Sequence, residues 1–137
     1  MTISDTYNYL LRVRSLERTI WRLTLQRDEL QSCLLPSAIR YDKDVVQVSP
    51  EDKLSEIAST VLELDKHIRN LQEQKARTIM ETTDAIDQLQ DERERTILAA
   101  FFIGRVSIEK IGKTMGYSPS HVYTLRRRGV KHLAAML

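Results

Sequence analysis

The sequence predicts an all-α protein. Three observations carry that prediction: apolar residues recur at intervals of three and four over two long stretches, 4 Gly and 3 Pro are spread over 137 residues, and helix-start residues precede every later apolar cluster. The expected architecture is a long N-terminal antiparallel helical hairpin of coiled-coil type, residues 1–90, followed by a C-terminal domain of short helices, residues 91–137. That length suits one domain, or one small domain with an extended element.

The first helix is expected from about Ser4 to Leu35. Thr2 and Asp5 have capping-box spacing, with Asp replacing the usual Glu or Gln. Tyr9, Val13, Leu16, Ile20, Leu23, Arg27, Leu30 and Leu34 then alternate four and three, which is the seam of a coiled coil. Arg27 interrupts that seam and is expected to reach an acidic neighbour. Trp21 is expected to pack on the flank of the seam. Residues 36–50, "PSAIRYDKDVVQVSP", break the pattern and read as a connector, with "VVQV" as a candidate short extended piece.

Ser49 is a candidate cap for the second helix, with Pro50 at its first position and Glu51 and Asp52 at its positive end. Leu54, Ile57, Val61, Leu64, Ile68 and Leu71 continue the spacing. Beyond Lys75 the phase slips to a weaker stripe of Ile79, Ile86 and Leu89. Two such helices cannot bury their stripes completely as a hairpin, so self-association, with a dimer favoured, or packing on another protein is expected.

Asp91 and Glu94 repeat the capping-box spacing and open the helix "DERERTILAAFFIGR". Ile97, Leu98, Phe101 and Phe102 supply its core side, and Gly104 is its expected stop. Ser107 caps the next short helix, in which Ile108, Ile111 and Met115 are spaced for burial. Gly116 supplies a left-handed turn residue. Ser118 caps the last helix with Pro119 at its first position, and Val122, Leu125, Gly129 and Leu133 form the inward face. Gly129 marks a close helix approach. Two short helices joined by a glycine turn read as a helix-turn-helix.

Charge divides along the chain. Residues 1–104 hold 14 Lys or Arg against 18 Asp or Glu, a net of −4, whereas residues 105–137 hold 7 against Glu109 alone, a net of +6. A basic terminal segment of this kind points to a polyanionic partner. Ser118, Ser120, His121, Tyr123, Thr124, Arg127, Arg128 and Lys131 are the candidate contacts to double-stranded DNA. The early ones offer short hydrogen-bonding groups for base edges, and the later ones are cations for phosphates. Ser118 adds the backbone N–H groups of a helix start. Tyr123 is read two ways, stacking on a sugar or covering the edge of the core.

The segment "RTILAAFFIGRVSIEKIGKTMGYSPSHVYTLRRRGVKHL" resembles region 4 of bacterial sigma factors over roughly residues 92–133. The shared frame is an Arg-led helix, "IEKIG", a Gly-aromatic-Ser turn, and a helix ending "VKHL". With the preceding long helices, the layout is similar to small phage-encoded transcription regulators, some linked to late genes. The resemblance implies that Ser120, His121, Tyr123, Thr124 and Arg127 contact DNA. The N-terminal hairpin is expected to mediate oligomerisation or to contact the transcription machinery, with RNA polymerase as a candidate partner. Sigma factors usually place Arg, Glu and Gln at the base-reading positions, so the target sequence does not transfer. Residues 1–90 do not resemble the aromatic-bearing module that opens promoter DNA.

Other functions fit parts of the pattern. A small terminase-type packaging protein also joins a helix-turn-helix to an oligomerising coiled coil, and a coiled-coil adaptor could bind a host factor without DNA. No enzyme, cofactor or metal is expected. His67, His121 and His132 are scattered, Asp84 and Asp87 read as an exposed acidic pair, and Cys33 is the single cysteine. Cysteine usage and the lack of a signal-peptide or membrane-span pattern lead to an expected cytoplasmic setting in a bacterial host.

Overall fold

The computed structural model describes residues 1–35 and 50–137 and is all-helical; no strand occurs among the described residues. The connector expected at 36–50 lies outside them up to residue 49, as do "VVQV" and the Ser49 cap. Helix α1 spans Ile3–Leu10 and α2 Arg12–Ser32. Helix α3 spans Pro50–Asp87 and α4 Glu92–Leu98, and α4 runs into a π-helical turn over Ala99–Ile103. Helices α5, Ile108–Met115, and α6, Pro119–Met136, complete the chain. No helix among the described residues is long and apolar enough to cross a membrane.

The chain divides into two compact units, residues 1–16 with 75–137, and residues 17–74. This differs from the boundary expected at 90/91. Four short segments carry too little apolar surface to close a core alone. Leu10 and Val13 are therefore fully buried in the larger unit, and the end of α3 supplies Ala85 and Ile86 beside Leu89, Leu98, Phe102, Val130 and Leu133. The ring of Tyr7 meets Phe102 edge-on at 6.0 Å.

Thr2 caps α1 as expected, accepting from the Asp5 N–H at 3.0 Å. The first helix is not continuous. It breaks at Leu11, although the Leu11 N–H still bonds to the Tyr7 carbonyl and the Leu11 carbonyl accepts from Ser15. Arg14 donates twice to the Phe101 carbonyl, at 3.1 and 3.0 Å, and lies 4.1 Å from the Phe101 ring.

The phase slip in α3 has a physical origin. Val61 and Ile68 serve the smaller unit, whereas the buried positions of the larger one are Thr78, Thr82, Ala85 and Ile86. Ile79, placed on the stripe by sequence, is only half-buried. Thr78 and Thr82 fill its place as small β-branched residues.

In the smaller unit, Ile20, Leu23 and Ile68 form the buried cluster, with Leu64 and Leu71 against it. Arg27 meets Asp65 at 2.9 Å and Asp28 at 3.1 Å, the acidic neighbours that its place in the seam requires. The Asp65 bond, then the Asp28 bond, push the guanidinium pKa up. Trp21, expected to pack on the flank of the seam, is instead 65% exposed.

Asp91 caps α4, accepting from the Arg93 N–H at 2.8 Å. Glu94 does not complete a capping box at the surface; it is 1% exposed. His132 Nδ1 bonds to its Oε2 at 2.9 Å, and Arg128 Nε lies 3.9 Å from Oε1. Its inward turn brings α4 against α6, where Gly129 makes room. A Cβ at Gly129 would lie 3.2 Å from Leu98 Cδ1 and 3.3 Å from Glu94 Cβ. The expected close approach is therefore met.

After α4 and its π-helical turn, the helix ends at Gly104, the expected stop, which caps it in a right-handed conformation, φ −77°. The left-handed residue is Arg105, φ 56°. Gly104 is needed for proximity rather than handedness, since a Cβ there would come 2.9 Å from the Ala100 carbonyl oxygen. The Gly104 N–H bonds five residues back to Ala99, and Val106 bonds to Ala100. This extra residue in the turn is the π-helical feature.

Candidate nucleic-acid interface

Three local devices position α6. Ser107 caps α5 by accepting from the Lys110 N–H at 3.2 Å. Gly116 adopts φ 74° and ψ 31°, the left-handed conformation that ends α5. Ser118 then starts α6 by accepting from the His121 N–H at 3.2 Å, with Pro119 following. These are the expected roles of Ser107, Gly116 and Ser118.

Gly112 was not singled out by sequence, yet it sets the closeness of the turn. Gly116 and Tyr117 both donate to its carbonyl, Tyr117 at 2.8 Å. A Cβ on Gly112 would fall 2.6 Å from the Tyr117 carbonyl oxygen. The signal available was a glycine inside a helix pattern four residues before another glycine.

The dry side of α6 is a continuous core contribution. Val122 and Leu125 are fully buried with Ile97, Ile108 and Ile111, and Val130 and Leu133 belong to the neighbouring cluster. The wet side carries Ser120, His121, Tyr123, Thr124, Arg127, Arg128 and Lys131, all exposed, with Ser118 exposed at the start. Helical spacing divides them. Ser120, Thr124, Arg127 and Lys131 recur at four, three and four and form the outermost stripe. His121 and Arg128 lie on one flank and Tyr123 on the other.

The Arg run does not act as one patch. Arg127 and Lys131 have no ion-pair partner among the described residues. Arg128 leans toward Glu94. Arg126 lies 4.7 Å from the Phe101 ring, 5.0 Å from Tyr123 and 5.8 Å from Tyr7, with its Nε buried and without a hydrogen-bond partner. Tyr123 is thereby held from below and is 43% exposed. The Thr124 hydroxyl donates to the Ser120 carbonyl at 3.1 Å, and the residue is exposed. The His121 ring meets Tyr117 edge-on at 4.7 Å.

Lys110 and Lys113 are exposed on α5 and were counted by sequence only in the net charge. No group of three or more potential metal ligands occurs among the described residues. Comparison with protein-family models, curated proteins and solved structures returned no match to this chain.

Proposed function

We propose that the chain is a sequence-specific, double-stranded-DNA-binding transcription regulator, of the phage late-gene kind suggested by its likeness to sigma region 4. In this reading α5 and α6 act as a helix-turn-helix, with α6 in the major groove. The N-terminal helices act as a hairpin that holds a homodimer or meets RNA polymerase in the bacterial cytoplasm. The observation that carries the reading is the stripe Ser120, Thr124, Arg127 and Lys131, exposed on a helix whose opposite side is buried.

Division of labour follows from reach and charge. Ser120 and Thr124 are short and approach base edges, where a Thr methyl suits the methyl of thymine. Arg127 and Lys131, unpaired within the described chain, neutralise phosphates, and the N-terminus of α6 at Ser118 favours another. Arg128 contributes less, since Glu94 shares its charge. A dimer would require half-sites about one helical turn apart, or a multiple of it.

The test is a duplex-binding titration at several salt concentrations, after sites are selected from a random pool. Arg127→Ala and Lys131→Ala are each expected to weaken binding to all sequences and to lower the salt slope by about 1. Thr124→Ala is expected to change the preferred sequence with the slope intact. Affinity independent of salt would overturn the proposal.

A further inference from the structure

In the smaller unit, the exposed side of α2 carries Arg18, Trp21, Arg22 and Leu25, whose spacing of three and four puts them on one face. Trp21 is 65% exposed and Leu25 48%. With Thr19 they line a shallow groove of about 420 Å³. Neither Arg18 nor Arg22 has an ion-pair partner among the described residues. The contrast with Arg27 on the same helix matters, because that arginine is tied to Asp65 and Asp28. A wet indole beside two unpaired guanidiniums has the composition that dominates binding energy in protein interfaces.

We propose that this face of α2 is a docking site for an acidic amphipathic helix of another protein. The guanidiniums call for carboxylates, and Trp21 with Leu25 calls for apolar side chains at helical spacing in the same partner. The same face of a second copy does not fit, since it would set Arg18 and Arg22 against their own counterparts. Duplex DNA would pair the guanidiniums yet leave Trp21 and Leu25 wet. The site is independent of the α6 surface, and a duplex-binding result for α6 leaves it standing or falling alone.

Trp21 is the only tryptophan, so its emission reports this site directly. The probe is a synthetic helix with leucines at three–four spacing and glutamates elsewhere, paired with a twin in which lysine replaces glutamate. The acidic peptide is expected to move the emission saturably to shorter wavelength, and the lysine twin is not. Arg18→Glu with Arg22→Glu is expected to weaken the acidic peptide roughly tenfold or more and to admit the lysine twin. Circular dichroism checks that the variant keeps its fold, and Arg18→Gln with Arg22→Gln repeats the test with milder changes. Four results would overturn the proposal: no saturable shift, equal response to both peptides, a shift driven by protein concentration alone, or a shift with duplex DNA alone.

Discussion

Gly112→Ala isolates the physical reason that α6 is held as it is. In an ordinary helix interior this change stabilises by about 1 kcal/mol, because alanine restricts the unfolded chain and glycine does not. Here the new Cβ would lie 2.6 Å from the Tyr117 carbonyl oxygen. An ordinary carbon–oxygen contact is about 3.3 Å, so a backbone segment must retreat by roughly 0.7 Å. That segment is anchored on both sides, by the Tyr117 N–H bond to Gly112 and by the Ser118 cap. Overpacking of this kind costs about 1–3 kcal/mol, and loosening the Tyr117 bond adds about 1. With the helix-propensity gain set against them, Gly112→Ala is expected to destabilise by about 1–3 kcal/mol. At roughly 3–5 °C per kcal/mol, the unfolding midpoint falls by roughly 3–15 °C. Thermal and urea unfolding followed by circular dichroism measure it, with exposed Lys113→Ala on the same helix as the control expected within about 0.5 kcal/mol. The variant should also bind duplex more weakly with an unchanged salt slope, since Arg127 and Lys131 remain. A Gly112→Ala protein as stable as its parent would refute the argument that this contact sets the turn.

Two more predictions concern α4. His132→Ala removes the hydrogen bond to Glu94, a carboxylate 1% exposed, and is expected to destabilise by about 1–3 kcal/mol; adding Glu94→Met should restore most of the loss, because the buried charge goes too. Thermal unfolding of the single and double variants checks both. The Asp91 carboxyl is held down to about 2 from an ordinary 3.8, chiefly by the Arg93 side-chain hydrogen bond. A depressed carboxyl stabilises the fold above its ordinary pKa and loses that contribution as pH falls. The stability gap between the parent and Asp91→Asn is therefore expected to be constant above about pH 5 and to narrow from there toward pH 2, read by urea unfolding across that range.

The sequence made the helix starts legible because each depends on residues within one turn. Thr2, Asp91, Ser107 and Ser118 each accept the N–H that their position predicts, and Gly116 is left-handed. The inward positions Val122, Leu125, Gly129 and Leu133 and the outward positions around them also follow from spacing alone. Features set by distant chain were not legible. The burial of Leu10 with Leu98, Phe102, Val130 and Leu133 depends on long-range packing that no local pattern encodes. The same holds for Glu94: its spacing from Asp91 marks the helix start, but its burial against His132 is set by distant chain. Gly104 stops its helix as its position predicts, but spacing does not say how: it clears the Ala100 carbonyl, and Arg105 takes the left-handed position.

The run Arg126–Arg127–Arg128 shows how three identical residues acquire three different surroundings. Successive helical positions turn by about 100°, so a run of three cannot share one face. Arg126 is carried toward the core edge, where Phe101, Tyr7 and Tyr123 offer aromatic faces and its Nε has no partner. Arg128 is carried to the opposite flank, where Glu94 draws it in. Only Arg127 stays on the outermost stripe. Net charge overstates what α6 can present to a polyanion, because one of its cations stacks on aromatic rings and another shares its charge with a buried carboxylate. If α6 meets a polyanion, the charge it has to offer is that of Arg127 and Lys131, which have no ion-pair partner among the described residues.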